Sequence, residues 1–294
     1  MQRRRRVGLR ALVSESNAPR ALAASAFLLA LVVGDSVGWA KTPCGMSAPG
    51  NALVRSIGQG LEPRLSDGRI VRLPNIEAPS QAGGDPHLAE KARAALAAWL
   101  VGRRVELAPT EARPDRWGRT IARLYARAPG GTPSAGRLWV EREIVGAGWA
   151  RVLPTQAAPL CLSQLLSAEK RARRSVLGLW SDPYYAIVPA LDRAALAERQ
   201  GSGVIVQGRV VSLGQAHSRI YLNFGHERGS DLSLEIPLRK AGRFAAAGRT
   251  LSAYVGARVR ARGVLAYWFG PQIEIDSPSQ IEIIGKPSIP ATSK

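Results

Sequence analysis

The 294-residue chain is poor in several side chains that mark whole functional classes. Two cysteines exclude a disulfide-dense mini-protein and a zinc site built from four cysteines. Three histidines, at positions 87, 217 and 226, are too scattered for a histidine-rich metal site. The longest apolar run, Ala21 to Gly34, has fourteen residues, short of the roughly 20 that a membrane-spanning helix needs. Acids are scarce, with 22 Asp and Glu against 41 Lys and Arg, and the formal charge is +19. That balance points to a polyanionic partner: nucleic acid, anionic lipid or another acidic polymer. Arginine supplies 35 of the basic residues and lysine 6, a skew that GC-rich coding would also produce, although coding does not account for the shortage of acids. Apolar material is plentiful. At 46% hydrophobic residues the chain can fill one large or two ordinary cores, which excludes a wholly disordered polymer.

The N-terminus reads as an address. Arg3 to Arg6 form a positive run, the apolar stretch follows, Asp35 ends it, and Gly38-Trp39-Ala40 supplies small residues at a cleavage spacing. A signal peptide is therefore expected over residues 1–40, with an exported product, periplasmic or extracellular, that has no membrane span in its mature part. The first twenty residues are long for such a leader, which leaves an uncleaved anchor or a misplaced start as alternatives. Export gives the cysteines a meaning: in an oxidising compartment Cys44 and Cys161 could pair, the alternative being two isolated thiols.

Beyond an extension at 41–51 the pattern divides into a mixed module over 52–182, a connector over 183–200, a strand-rich module over 201–285 and a tail over 286–294. In the first module Ala52–Ile57, Arg69–Leu73, Arg104–Leu107 and Thr120–Ala126 are predicted strands, with Ser66-Asp67-Gly68 as a turn. Asp85-Pro86 opens a predicted helix that carries Leu88, Ala92, Leu96 and Trp99 on one side and stops at Gly102. Leu138–Val145 and Leu160–Val176 are further predicted helices. In the second module Val204–Val211, Ile220–Phe224, Leu232–Ile236, Arg258–Val264 and Gln272–Ile275 are predicted strands, with a helix near Arg243–Ala247 between the third and fourth. Five strands with a helix in that place follow the order of an OB barrel.

Spaced motifs then carry a resemblance. Asp67-Gly68, Val71-Arg72-Leu73 and Ile76-Glu77-Ala78-Pro79 are followed by Asp115-Arg116-Trp117-Gly118-Arg119, by Gly148-Trp149-Ala150-Arg151-Val152, and by Ala172-Arg173 with Gly178-Leu179-Trp180. In this order they resemble the thermonuclease (staphylococcal-nuclease-like) family. The resemblance implies an α+β, mainly β fold: an OB barrel carrying three helices. Gly208-Arg209-Val210-Val211-Ser212, Tyr221-Leu222-Asn223-Phe224-Gly225 and Gln280-Ile281-Glu282 resemble the C-terminal half of a bacterial two-domain group of such proteins, implying a second, five-stranded OB-like barrel.

For function the resemblance implies metal-assisted phosphodiester hydrolysis. That chemistry needs carboxylates for a hard divalent ion such as Ca²⁺, a base or metal-bound water, and cations for the charge growing on phosphate oxygens. Arg72 and Arg119 occupy the family's phosphate-contacting positions, and an ion pair with Asp115 is the plain alternative for Arg119. The acidic part is depleted. Glu77 stands where a metal-binding aspartate is expected, and Ser80 replaces the expected base, although a hydroxyl is not ionised at neutral pH without an activator. Leu61 falls at a second metal position, with Glu62 one residue along. Glu77 and Glu62 are thus the candidate metal ligands if the protein is active. Arg209, Tyr221 and Phe224 are candidates for a platform that stacks single strands of DNA or RNA, with burial in the barrel as the alternative for at least one of the two rings. Three readings follow: a nucleic-acid binder with weak or no hydrolysis, an active metal-dependent exported nuclease, or an envelope interaction protein with no nucleic-acid role.

Overall fold

A computed structural model describes residues 50–80, 83–128, 136–155 and 161–285, all within a compact unit spanning Thr42–Lys294. The expected signal segment, Cys44 and the tail lie outside the described residues. Among those described, no helix is long and apolar enough to cross a membrane.

The first half runs β1 (Gly50–Ile57), β2 (Pro63–Leu65), β3 (Val71–Arg72), β4 (Ile76–Glu77), α1 (His87–Leu100), β5 (Arg104–Pro109), β6 (Thr120–Arg127), β7 (Arg137–Trp139), α2 (Val140–Gly146), β8 (Arg151–Val152) and α3 (Leu162–Arg174). Alternation sets the inner face of β1, where Ala52 and Val54 are buried, and a shift in register between Val54 and Ser56 resets the phase so that Ile57 also turns inward. The sheet order is β2-β1-β5-β6-β3, with β7 beside β6. An Arg64–Ile70 bridge links β2 to the residue preceding β3, so the sheet is a nearly closed barrel of the OB type expected. Its core joins Val54, Val105, Leu107 and Leu124 to Leu96 and Trp99 of α1 and Leu165 of α3. At the start of α1, Asp85 accepts the His87 amide through its side chain at 2.9 Å. Past its end, Gly102 takes φ 78°, a left-handed turn that glycine enters without steric cost. Leu138–Val145 is not one helix. Leu138 and Trp139 pair with Ala126 and Tyr125 across β6 and β7, and α2 begins only after this pairing ends.

The second half runs β9 (Val188–Pro189), α4 (Arg193–Ala197), β10 (Gly203–Arg209), β11 (Ser212–Ala216), β12 (Arg219–Asn223), β13 (Ser233–Pro237), α5 (Leu238–Ala246), β14 (Arg258–Tyr267), β15 (Pro271–Glu274) and β16 (Ile281–Gly285). The sheet has eight strands where five were expected, in the order β11-β12-β13-β15-β14-β10-β9 with β16 on β14. The first expected strand, Val204–Val211, ends at Arg209 as β10, and β9, β11 and β16 are the additional strands. The connector is not free, because β9 pairs in parallel with β10 through Val188 and Val206. Helix α5 starts at Leu238, five residues ahead of the expectation, immediately after Pro237.

Buried polar contacts join the two halves. Arg262 of β14 is ion-paired to Glu169 of α3 at 2.7 Å and to Glu282 of β16 at 2.8 Å, and its guanidinium also donates to the Val152 carbonyl at 3.2 Å. Arg151 donates to the carbonyl of Gly203 at 2.5 Å.

Candidate functional site

The Asp115–Arg119 segment is a tight turn ahead of β6. The Asp115 amide donates to the Arg119 carbonyl, and the Gly118 amide to the Asp115 carbonyl, each at 2.9 Å. Asp115 Oδ1 accepts the backbone amides of Trp117 and Arg119, both at 3.0 Å. Gly118 closes the turn at φ 76°, which explains a glycine between the aromatic residue and the arginine. The same aspartate holds the arginine side chain, with Arg119 Nε donating to Asp115 Oδ2 at 2.8 Å and Nη2 at 2.7 Å from the same oxygen.

Parallel pairing of β3 with β6, Val71 to Thr120 and Arg72 to Ile121, brings Arg72 beside this turn. Its Nη1 lies 3.9 Å from Asp115 Oδ2. The two arginines that the resemblance places against phosphate therefore meet at one carboxylate. Burial opposes the charge on Asp115, but hydrogen bonds from the Arg119 side chain and amide, then from the Trp117 amide, outweigh it and hold the carboxyl below its ordinary range. The Arg72 side chain is 38% exposed, so much of its fork faces outward. Trp117, 59% exposed, lies under the guanidinium groups of Arg116 at 3.9 Å and Arg119 at 4.7 Å from its ring centre. In the sequence this residue is only a motif landmark. The signal was an aromatic residue flanked by arginines on a tight turn.

The acidic candidates are placed differently from expectation. Leu61 is buried in the core at φ 60°. It belongs to the turn after β1, in which the Gly58 amide donates to the Glu62 carbonyl at 2.8 Å. Glu62 lies on this turn, and its Oε1 is paired to Arg119 Nη1. Glu77 lies in the small β4–β8 sheet and is held by Arg151, with Nε at 3.0 Å and Nη2 at 2.8 Å. A methyl group at Gly203 would fall 2.2 Å from Glu77 Oε1, so the carboxylate fills the space that this glycine leaves. The Ser80 amide donates to the Tyr185 hydroxyl at 2.9 Å.

A hard divalent ion takes several free oxygen ligands. Here Glu62 and Glu77 are each committed to a guanidinium, the Leu61 position supplies no oxygen, and among the described residues no three Asp, Glu, His or Cys side chains are grouped to hold a metal ion. Paired in this way, the carboxylates present do not fit the metal that the resemblance implied.

In the second sheet, Phe224 is 2% exposed and packs among Leu222, Leu232 and Leu234. A buried ring cannot stack a base, so it leaves the proposed platform. Tyr221 is half-buried in a row with Gly214 and Glu235, and Glu235 pairs on to Glu274. Arg209 is exposed and donates to the Gly256 carbonyl at 2.5 Å. Cys161 stands at φ 73° before α3 and is not a free thiol.

An OB-type barrel with two guanidinium groups meeting beside an exposed tryptophan defines the class of this half of the molecule. Residues 70–182 match the model of the staphylococcal nuclease homologue family. The chain is also similar to a micrococcal nuclease of Shigella flexneri, 38% identical over 120 residues, a match covering 38% of this chain and 62% of that protein. The chain thus spans less than two thirds of that relative's length. Residues 70–182 are a thermonuclease-like domain.

Proposed function

We propose that the chain binds nucleic acid through Arg72 and Arg119 and hydrolyses phosphodiesters weakly or not at all. The observation that carries this reading is the meeting of both arginines at Asp115 while Glu62 and Glu77 are each bound to an arginine. Phosphate oxygens accept from the outward fork of Arg72 and compete with Glu62 for Arg119, since a planar guanidinium suits two oxygens at once. An unstacked base lies against Trp117, as aromatic faces take bases of any sequence. With no ionisable group at position 80, proton removal from an attacking water lacks its base, which costs on the order of 10²–10⁴ in rate. The second sheet extends the reading. Its strand path begins on β11 and returns to β10, the strand just before β11 in the chain, before ending on β9, which supports an OB-like barrel.

Binding of a fluorescent single-stranded oligonucleotide, with and without Ca²⁺ or Mg²⁺, tests the proposal. Retention without cleavage that weakens with salt, as counterion release requires, and that drops in Arg72→Ala and Arg119→Ala, is the expected outcome. Metal-dependent cleavage lost in both variants would establish the active nuclease instead, and absence of retention at low salt would leave an envelope interaction protein.

We also propose export, supported by the N-terminal arginines and apolar run, and with it a Cys44–Cys161 bridge. Thiol titration of denatured, unreduced protein taken from the periplasm should find no free thiol. Two free thiols would rule the bridge out.

A further inference from the structure

The thermonuclease-like barrel gathers arginines at a second place. Arg119 precedes β6 and Arg127 ends it, so eight residues of extended chain, about 26 Å, separate the two. Register brings the others to Arg127. Glu106 pairs with Tyr125, and Arg127 with Arg137. Cross-strand partners share a face, and so do residues two apart. Arg104, Glu106, Tyr125, Arg127 and Arg137 therefore lie on one face of β5, β6 and β7. Together with Arg103 they line a cleft of about 720 Å³.

The charges in this cleft do not balance. Glu106 is taken by Arg137. Arg103 reaches a neutral acceptor, the Ala128 carbonyl, at 3.3 Å. Arg104 and Arg127 have no acidic partner among the described residues. Arg127 sits directly opposite Arg137, an arrangement of like charges that destabilises a sheet. Two polar atoms of residues that line the cleft, the Tyr125 hydroxyl and Glu106 Oε2, are buried without a hydrogen-bond partner among the described residues. Four guanidinium groups around one carboxylate give this concave surface an excess of positive charge.

We propose that this cleft is a second oxyanion site, separate from the Arg72–Arg119 pair, which binds phosphate groups and takes them from a nucleic-acid backbone. The choice of source rests on the function proposed above, whereas the oxyanion site does not. The geometry suits phosphate because oxygens spread around one centre can accept from several guanidinium forks together.

The test uses two probes, inorganic tripolyphosphate by calorimetry and a single-stranded oligonucleotide by anisotropy between 50 and 200 mM salt (concentrations of the order over which phosphate contacts are lost). Arg104→Ala/Arg127→Ala should weaken tripolyphosphate at least tenfold. It should also lower the oligonucleotide salt slope by about 1.4, from about 0.7 for each lost single-strand contact. Arg72→Ala/Arg119→Ala should keep the cleft's tripolyphosphate binding. Arg104→Lys/Arg127→Lys keeps the charge and should recover part of the affinity, which separates lost charge from a damaged fold. Weaker tripolyphosphate with unchanged oligonucleotide binding would support the site and overturn the strand as its source. If Arg104→Ala/Arg127→Ala binds both probes like the wild type, or the wild type binds neither, the site is overturned. In the first of these cases, a loss of oligonucleotide confined to Arg72→Ala/Arg119→Ala would still leave the proposed function standing.

Discussion

A carboxylate that holds a guanidinium also competes with any phosphate that would use it. Glu62 is such a competitor, because its pairing with Arg119 occupies the outer edge of the fork while Asp115 holds the inner edge. The two carboxylates are not equivalent. Asp115 also closes the turn that places Arg119, so its removal would disorder the site, whereas Glu62 reaches in from the turn after β1. Glu62→Ala should therefore tighten oligonucleotide binding by about fivefold, the equivalent of about 1 kcal/mol for a partly exposed pair. Anisotropy at low salt reads this directly. Unchanged or weaker binding would mean that phosphate does not displace Glu62. Direction matters more than size here, because removing an acid from a basic surface far from Arg119 should have a much smaller effect.

At the scale of elements, the start of α2 contains a carboxyl with no solvent. Glu141 is fully buried, and burial pushes its pKa up to about 8 against the pull of its own amide, the Leu124 amide and Arg123. The folded protein thus keeps a proton that the unfolded chain releases near pH 4.5. Between those values the native state binds more protons, so stability is fully present below about pH 4.5 and falls as pH rises toward 8. The slope contributed is up to about 1.4 kcal/mol per pH unit. Glu141→Gln cannot ionise and should remove that slope. Urea midpoints from pH 5 to 8 in both proteins check it, and parallel curves would show that Glu141 is already charged in the fold.

Elements and site differed in how far local pattern could reveal them. The strands of the barrel were readable because alternation and turn residues are local, and the Asp115–Arg119 turn because its spacing is a backbone geometry. The fate of Glu77 was not readable, since Arg151 lies 74 positions away and Gly203 further still. Only the fold brings them together. Residue type alone could not separate Phe224, which is inward, from Trp268 and Phe269, which are 79% and 94% exposed at the turn between β14 and β15. The first directly follows β12, whose alternation carries it to the inner side with Ile220 and Leu222. The others end at Gly270, where the hairpin leaves no interior to enter.

Over the whole molecule, the buried arginine of β14 does what neither sheet does alone. Arg262 and Glu169 are almost entirely removed from solvent. Burial opposes the Arg262 charge, but Glu169 and then Glu282 more than compensate and keep its pKa above the usual value. Such a pair adds little beyond what apolar packing would give, yet removing one partner strands the other charge in a dry interior, at about 3–5 kcal/mol. Glu169 also accepts the Val152 amide at 2.8 Å, so the loss reaches β8 and, through its pairing to β4, the Glu77–Arg151 contact. Arg262→Ala should consequently destabilise both halves together and lower the midpoint of a single unfolding transition. Circular dichroism for both sheets and tryptophan fluorescence in a Trp268→Phe background, where the remaining described tryptophans belong to residues 52–182, should report the same shifted midpoint. If only one signal moved, with the other kept at its wild-type midpoint, the halves would be folding independently and the ion pair would be a contact without a coupling role.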